Sequence, residues 1–247
     1  MDIRNKKIIV TGGANGIGRT LVERLASEGG IIGVLDIDDN SLLNFNIENI
    51  ITKCCDLTDI NEVEDSINYL FEKLGEINIL VNNAGILYSE PLATFGMDGI
   101  KTHSVEMWHK VISVNLDAVF YVTKTVVEKM IRKRTKGLLI NISSISANGN
   151  PGQSAYSASK AAVNALTATW SKELSLMGIR VAAVAPGFFN SPSTHKALSE
   201  SLVKETIKRV PLKRLGELEE LIEAILFIIR NDFYNGKVLE IDGGLII

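Results

Sequence analysis

The sequence predicts an α/β protein: one domain, residues 1–247, built on a doubly wound parallel sheet with helices on both faces. Two patterns predict this class. Short runs rich in Val, Ile and Leu alternate with longer amphipathic stretches from one end of the chain to the other, as strands and helices alternate in such sheets. The short runs are apolar on both faces, which is typical of strands buried between two layers of helices. No repeat, low-complexity tract or linker divides the sequence.

The strands and helices follow in a regular order along the chain. The predicted strands lie at 6–12, 31–37, 49–56, 77–85, 137–144, 179–187 and 236–244, and the predicted helices at 16–29, 59–74, 104–132, 154–177 and 217–229. Because crossovers between parallel strands are right-handed, the loops that follow the strands lie along one edge of the sheet. Ligands bind at that edge in open α/β sheets, so we expect the chemistry there.

Composition excludes several classes of function. The net charge of −3 gives no electrostatic reason to expect nucleic acid or an anionic membrane as a partner. No apolar run approaches the roughly 18 residues that a membrane helix needs. The N-terminus has too few apolar residues for a signal peptide, which predicts a cytoplasmic location. The three histidines, His103, His109 and His195, are scattered, so no metal site is predicted.

A glycine-rich turn, TGGANGIG at 11–18, follows the first strand and opens the first helix. Gly12, Gly16 and Gly18 permit positive φ, close approach of a pyrophosphate to the backbone, and tight packing of helix on strand. Asn15 and Ile17 complete the turn. Alone this could be an ordinary tight turn, but the flanking strand and helix favour the phosphate-binding turn of a Rossmann-type domain.

Acidic residues end the second and third strands. Asp36 stands about 20 residues after the turn, where a carboxylate accepts the hydroxyls of an adenosine ribose and repels a 2′-phosphate. No Arg or Lys lies in the turn or directly after Asp36, so NAD is predicted in preference to NADP. Asp36 could instead cap the next helix, with Asp38 and Asp39 as competitors. Asp56-Leu57 is suited to line an adenine pocket, or could form a turn into the next helix.

A tyrosine and a lysine lie one turn apart on the helix predicted from 154. A phenol with a pKa near 10 is a poor base at neutral pH. The Lys160 ammonium, with the positive charge of oxidised nicotinamide, would lower the pKa of Tyr156, and Lys160 can also hold the nicotinamide ribose. A serine-rich strand end lies upstream, and Asn115 is a polar residue among apolar neighbours. An exposed tyrosine and lysine on a surface helix is the alternative interpretation.

Taken in order, these motifs resemble the short-chain dehydrogenase/reductase family, in its branch with TGxxxGIG and YxxxK motifs, from Lys7 to Gly244. The resemblance is carried by TGGANGIG, Asp56-Leu57, NNAG at 82–85, Asn115, ISS at 142–144, YSASK at 156–160, PG at 186–187 and the terminal IDGG. It implies that Tyr156 is the general acid/base, that Lys160 lowers the pKa of Tyr156 and binds ribose, and that Asn115 anchors a water that relays protons to Lys160.

The resemblance also implies further cofactor contacts. Those residues are Asn83, Ala84 and Gly85 on the adenine side, Pro186 and Gly187 at the turn after a strand, Phe189 through its backbone at the carboxamide, and Ser191. At Ser191 many members have Thr, and serine keeps the hydroxyl. The family pattern assigns the substrate-orienting hydroxyl to Ser144, whereas spacing back from Tyr156 can favour Ser143; because side chains alternate along a strand, only one faces the substrate. Ser144 is our prediction.

Two segments are candidates for substrate contact. The chain is longer than most relatives between NNAG and Asn115, and this variable loop near 90–104, with its extra piece at Leu92–His103, either borders the substrate or is a solvent loop. The segment near 188–212 is predicted to be a mobile helical lid, with an apolar component from Phe188, Phe189 and Leu198.

The reaction implied is hydride transfer between NAD and a small-molecule alcohol or ketone. The alternative within enzymes is a 3-oxoacyl thioester reductase, acting on acyl-carrier-protein or CoA substrates, although Asp36 argues against the NADPH that such reductases usually use. A non-catalytic NAD-binding regulator is a further alternative. Such a protein would usually lack Tyr156, Lys160 or Asn115, and all three are present. The resemblance implies a homodimer or homotetramer formed through the helices at 104–132 and 154–177.

Overall fold

The computed structural model describes residues 1–96, 99–197 and 199–246. The strands in this part of the chain are β1 (Lys7–Thr11), β2 (Ile31–Asp36), β3 (Ile50–Cys54), β4 (Ile79–Asn82), β5 (Ala93–Gly96), β6 (Gly99–Thr102), β7 (Gly137–Ile142), β8 (Ile179–Pro186) and β9 (Val238–Ile241). The helices are α1 (Gly16–Ser27), α2 (Asp39–Leu42), α3 (Ile60–Leu74), α4 (Val105–Ile112), α5 (Ala118–Lys133), α6 (Ser154–Leu174), α7 (Pro192–Ala197), α8 (Glu200–Arg209) and α9 (Leu218–Arg230).

Seven of these strands form one parallel sheet in the order β3-β2-β1-β4-β7-β8-β9. Strand β1 lies at the centre, with Ile8 opposite Ile32 of β2 on one side and Ile79 of β4 on the other. The strand order reverses beside β1, and such a reversal opens a crevice at the carboxyl ends of the strands. The predicted fold class, a Rossmann-type parallel sheet with helices on both faces, is confirmed.

Alternating side chains of the strands supply two cores, one on each face of the sheet. In β1, Ile8 and Val10 face a core completed by α1 and α9, while Ile9 faces a core completed by α3, α5 and α6. Leu21 of α1 and Leu70 of α3 are fully buried against these two faces. The sheet is therefore buried on both sides, as strands that are apolar on both faces require.

The long helix predicted at 104–132 is interrupted. Helix α4 ends at Ile112, a π-helical turn spans Ser113–Asp117, and α5 begins at Ala118. Asn115 lies fully buried in that turn. A π turn is inserted within a helix without ending it, and no Gly or Pro at 112–118 marks the break in the sequence. The helix predicted at 154–177 likewise ends at Leu174 and continues as a 3-10 turn, Ser175–Met177.

The extra segment at 92–103 contains an antiparallel hairpin, β5–β6. Phe95 pairs with Ile100 across the two strands, and Ala93 pairs with Thr102. The predicted lid at 188–212 contains the two helices α7 and α8. No helix in the described part of the chain is long and apolar enough to cross a membrane.

Candidate active site

The glycine-rich turn after β1 has the conformation that its glycines allow. Gly12 and Gly16 have φ of +62° and +54°, a region that disfavours residues with a Cβ. A Cβ on Gly12 would lie 2.7 Å from Cα of Ala84, and a Cβ on Gly18 would collide with the carbonyl oxygen of Gly12. A Cβ on Gly16 would meet nothing within 4 Å. The turn is thus closed against the protein on one side and open beside the first turn of α1.

The carboxylate of Asp36 is tied to the glycine-rich turn. Its two oxygens accept hydrogen bonds from N–H of Ala14 (2.9 Å) and N–H of Asp38 (3.0 Å). Asp38, rather than Asp36, caps α2, since its side chain accepts from N–H of Ser41; it also accepts from the amide of Asn15 at 3.1 Å. A carboxylate offers about four acceptor positions, so Asp36 keeps acceptor capacity for a ligand.

Residues 83–85 are fastened to that turn from the end of β4. The amide nitrogen of Asn83 donates to the carbonyl of Gly12 at 2.8 Å, and the Thr11 hydroxyl accepts from N–H of Asn83 and of Ala84. The position of a Cβ on Gly85 is 3.2 Å from Oδ1 of Asn115 and 3.6 Å from Nζ of Lys160. Sequence reasoning missed Thr11, although its place directly after the strand, inside the motif, was a signal.

The end of β3 lies at the same edge of the sheet. N–H of Cys55 donates to the carbonyl of Asp36 at 2.9 Å, and Leu57 is buried. The Asp56 carboxylate accepts from N–H and hydroxyl of Thr58. Asp56-Leu57 therefore does form the turn into α3, and the same turn places it beside Asp36, so the two interpretations of this pair are compatible.

Lys160 is buried beneath the site, with 5% of its surface exposed. Its ammonium donates to the carbonyl of Ile142 at 2.7 Å. Burial lowers the pKa of Lys160 to about 8, because a charged group loses its hydration. The hydroxyl of Ser143 donates a hydrogen bond to the backbone carbonyl of Lys160 at 3.3 Å. The Ser143 hydroxyl is thereby directed towards the backbone of α6.

Tyr156 and Ser144 share a hydrogen bond, which lowers the pKa of Tyr156 against a larger effect of burial, so that the pKa lies above its ordinary value. The oxygen of Ser144 accepts from N–H of Ser146 at 3.1 Å, which leaves its O–H proton to be donated. Nζ of Lys160 is 5.8 Å from the centre of the Tyr156 ring. Burial is thus the main influence on the pKa of Tyr156 in the ligand-free chain.

Asn115 is held by the backbone that follows β4. Its Oδ1 accepts from N–H of Ile86 at 2.8 Å, and its Nδ2 donates to the carbonyl of Ile86 at 2.9 Å. Nδ2 also lies 3.4 Å from the hydroxyl of Ser159, the residue before Lys160. Asn115 thus joins the π-helical turn, the loop after β4 and α6 at one point.

The turn after β8 packs against the end of β9. N–H of Gly187 donates to the carbonyl of Ile241 at 2.8 Å, and a Cβ on Gly187 would lie 2.7 Å from Cα of Asp242. Pro186 ends β8. The Phe189 ring is buried in the core on Gly216, which leaves only its backbone to face the edge of the sheet. Ser191 is buried and accepts from N–H of Thr194 at the start of α7.

The base of the lid is apolar. Ile145, Val210 and Leu245 are buried together, and Phe188 packs on them. The expected apolar component is therefore present in Phe188, whereas the ring of Phe189 fills the core instead, because it occupies the space that Gly216 leaves. Leu198 lies outside the described residues.

A nicotinamide dinucleotide fits this edge of the sheet. The turn with positive φ, the missing side chain at Gly16 and the carboxylate of Asp36 form the cradle that a dinucleotide requires. Among the described residues no cluster of His, Cys, Asp and Glu could hold a metal ion.

Comparisons with known proteins extend over the whole fold. A family profile described as short chain dehydrogenase matches residues 6–201. A 3-oxoacyl-[acyl-carrier-protein] reductase of Thermotoga maritima is 39% identical over 100% of this chain and 100% of its own. The 3-hydroxyacyl-CoA dehydrogenase type-2 of Drosophila melanogaster is 33% identical over 98% of each chain. Among solved structures, levodione reductase matches with a TM-score of 0.88 and 28% identity, over 98% of this chain and 97% of its own.

Proposed function

The chain belongs to the short-chain dehydrogenase family, and we propose that it transfers a hydride between NAD and a secondary alcohol or ketone, with Tyr156 as general acid/base. That the chain is an oxidoreductase acting on CH–OH groups follows from its family. The catalytic residues, the preference for NAD, and residues 1–247 as one catalytic domain are our proposals.

One juxtaposition carries the proposed catalytic group: Tyr156 lies with Nζ of Lys160 5.8 Å from its ring centre and with the Ser144 hydroxyl acting on its phenol. The Tyr156 hydroxyl belongs to the first turn of α6, whereas the Ser144 hydroxyl belongs to the segment that follows β7. A substrate oxygen beside both would accept a proton from Tyr156 and a hydrogen bond from Ser144. Since Ser143 is directed to the backbone of Lys160, Ser144 is the orienting serine in this proposal.

Lys160 and Asn115 support the proton transfer. With a pKa of about 8, Lys160 can gain or lose a proton near neutral pH, which suits a relay to the phenol. Its ammonium would also bind the nicotinamide ribose. Asn115 lies beside Gly85, within reach of Nζ of Lys160, where it would anchor the relaying water.

A bound nicotinamide would supply or accept the hydride, and the chain would supply binding, orientation and the proton path. Gly12, Gly16 and Gly18 would receive the pyrophosphate at the N-terminus of α1. Asp36 would accept the adenosine ribose hydroxyls and would repel a 2′-phosphate; this is the basis for NAD in preference to NADP. Phe189 would contact the carboxamide through its backbone. The other cofactor contacts that we propose are Asn15, Ile17, Asp56, Leu57, Asn83, Ala84, Gly85, Pro186, Gly187 and Ser191.

A second candidate is the reduction of a 3-oxoacyl thioester with NADPH. The names of similar proteins favour it, since several are 3-oxoacyl-[acyl-carrier-protein] reductases. The two candidates share Tyr156, Ser144, Lys160 and Asn115. They differ at the cofactor, where Asp36 favours NAD, and in the substrate.

Absorbance at 340 nm separates the two candidates. The purified chain would be given NADH and NADPH with acetoacetyl-CoA, and NAD with secondary alcohols, polyols, hydroxysteroids and 3-hydroxyacyl-CoA. We expect turnover with NAD or NADH to be well above turnover with NADPH. Turnover of acetoacetyl-CoA with NADPH alone would favour the second candidate. No turnover with any pair would contradict both candidates and favour a non-catalytic regulator.

Assembly and location are also proposals. We propose a homodimer or homotetramer formed through α4–α5 and α6, where Trp108 and Phe120 expose 37% and 48% of their surfaces. Light scattering that gives a stable monomer would contradict it. A cytoplasmic location is proposed from the N-terminal sequence, and imaging of a fluorescently tagged chain would test it.

A further inference from the structure

Glu90, in the loop after β4, joins parts of the chain that are distant in sequence. Its Oε2 accepts the hydroxyl of Tyr88 at 2.9 Å and N–H of Ser104 at 2.7 Å. Both bonds stabilise the ionised carboxylate, and they hold the pKa of Glu90 below its ordinary value. None of the proposed catalytic steps uses Glu90.

The backbone of Glu90 is bound to the segment that leads into Tyr156. N–H of Glu90 donates to the carbonyl of Gly152 at 2.7 Å, and Glu90 forms a parallel bridge with Gln153. The side chain of Gln153 donates to the hydroxyl of Ser89 at 3.3 Å. Gln153 is the N-cap position of α6, and Tyr156 lies in the first turn of that helix. The position of Glu90 therefore affects where helix α6 begins and, with it, where Tyr156 lies.

The carboxylate of Glu90 is bound to the base of the β5–β6 hairpin. Ser104 is the N-cap of α4, where its hydroxyl accepts from N–H of Met107 at 3.1 Å. N–H of His103 donates to the carbonyl of Leu92 and closes the hairpin, and the His103 ring meets Tyr88 edge-on with centroids 5.6 Å apart. A displacement of the hairpin would therefore be transmitted to Glu90 through Ser104 and Tyr88.

We propose that Glu90 is a positioning residue that couples the β5–β6 hairpin to Tyr156: its carboxylate holds the hairpin base, and its backbone holds the segment that starts α6. The inference rests on the proposed role of Tyr156 as general acid/base. The carboxylate bonds fix the loop from which the backbone of Glu90 reaches Gly152. When they are lost, the first turn of α6 shifts against Ser144.

Three variants test this role. Glu90→Ala removes the acceptor. Glu90→Gln keeps a carbonyl oxygen that can accept from both Tyr88 and Ser104. Glu106→Ala is the matched control, because Glu106 is exposed in the first turn of α4. For each, we would measure kcat and KM against pH, and hydrogen exchange of the amides at 150–157.

For Glu90→Ala we expect kcat to fall about tenfold or more, because small misplacements of reacting groups are costly, while KM for NAD stays within about twofold. The pH profile of alcohol oxidation should move to higher pH, since the Ser144 bond that lowers the pKa of Tyr156 is weakened. Amides at 150–157 should exchange faster. Glu90→Gln should restore most of kcat and the pH profile, and Glu106→Ala should match the wild type.

An unchanged pH profile and unchanged exchange at 150–157 in Glu90→Ala would overturn the proposal, as would a Glu90→Gln variant no better than Glu90→Ala. The exchange measurement needs no substrate. If the wild type turns nothing over and exchange still responds to Glu90→Ala, the proposed function has failed while the coupling stands; if turnover is normal and exchange is unresponsive, only the coupling has failed.

Discussion

The cofactor edge and the β5–β6 hairpin lie on the same side of the sheet and are built in opposite ways. At the cofactor edge, Gly12 packs on Ala84, the amide of Asn83 is bonded to Gly12, and the carboxylate of Asp36 is bonded to the glycine-rich turn. In the hairpin, Phe95 exposes 90% of its surface and Ile100 exposes 68%. The first region is held by the chain's own contacts, whereas the second presents apolar surface to its surroundings.

This difference separates chemistry from substrate choice. Groups that bind a dinucleotide and move a proton must be prearranged, because reorganisation during the reaction would be costly. The hairpin faces no such demand, and exposed apolar surface near a site often marks a place where a ligand is bound. Variants in the first region should therefore change kcat or cofactor choice. Substitutions of exposed apolar side chains of the hairpin, which leave its base on Glu90 intact, should change KM alone.

The largest effect is expected from Tyr156→Phe. Removal of a general acid/base costs roughly 10²- to 10⁴-fold in rate, so we expect kcat to fall about 10³-fold, with the Kd of NADH within about twofold of the wild type. Stopped-flow or 340 nm assays measure the first quantity and fluorescence titration the second. Activity above about a tenth of the wild type would contradict the role of Tyr156.

The second-largest loss of kcat is expected from Ser144→Ala, with Ser143→Ala as its matched control. Loss of a hydrogen-bond donor to the reacting oxygen costs about 10²-fold or more in kcat. The Ser143 hydroxyl is bonded to the backbone of Lys160, so its removal should reduce kcat only a few-fold, about threefold on the scale of one weak bond. Parallel kcat measurements compare the two. The reverse order would show that Ser143 orients the substrate.

The stability of the ligand-free protein should depend on pH through Lys160. Its pKa is about 8 in the folded chain and near 10.5 in the unfolded chain, so the unfolded state binds more protons between these values, and stability rises with pH there. Lys160→Met should stabilise the chain at pH 7 by about 2 kcal/mol, allowing for the lost bond to Ile142. Urea unfolding should show this gain shrinking from pH 8 upwards.

The matched control for this titration is Lys172→Met, on the exposed side of the same helix. The difference in the free energy of unfolding between Lys172→Met and the wild type should stay constant over the same pH range. A pH-independent gain in Lys160→Met would mean that Lys160 is not the titrating group.

Asp36→Ala should change cofactor choice with a smaller effect on kcat. We expect the ratio of kcat/KM for NAD to that for NADP to fall about tenfold, the equivalent of 1.4 kcal/mol, because the ribose hydroxyls lose an acceptor and the 2′-phosphate loses a repelling charge. Asp38→Asn, which changes the cap of α2, should leave the ratio unchanged. Equal effects of the two substitutions would favour a structural role for Asp36.

The smallest effect is expected from Phe95→Ala. If the hairpin borders the substrate, KM for an apolar substrate should rise about threefold, consistent with partial loss of apolar contact, while kcat and the KM for NAD stay constant. Thr94→Ala, on the opposite face of β5, is the control. An unchanged KM for every substrate tested would make the hairpin a solvent loop and remove one side of the comparison.

Periodicity and spacing were sufficient to predict the sheet and the approximate helices, because strands that are apolar on both faces have few other solutions. The hairpin was missed, because its two strands have only four residues each and expose all of the side chains described, so no buried apolar run marks them. The break at Asn115 could not be predicted, because a π turn interrupts a helix without ending it and no Gly or Pro marks the site in the sequence.

Among site residues, those defined by one local motif were the most predictable. Tyr156 and Lys160 share one helix, so their spacing alone puts them on one face. The positions of Ser144 and Glu90 depend on contacts between segments about 12 and 60 residues apart, which no local pattern records. The burial that raises the pKa of Tyr156 in the ligand-free chain was not predictable for the same reason, since burial is a property of the whole fold.

The strand order also bears on how the chain is synthesised. Strand β1 has both of its neighbours once β4 has been synthesised, but the outer edge of β4 pairs with β7. Strand β4 ends at Asn82 and β7 ends at Ile142, 60 residues later. At roughly 5–20 residues per second, translation of that interval takes about 3–12 s. An open strand edge is a template for pairing with other chains. The residues of the β5–β6 hairpin lie within this interval, so they lengthen the time during which a nascent chain is exposed to misassembly on the ribosome.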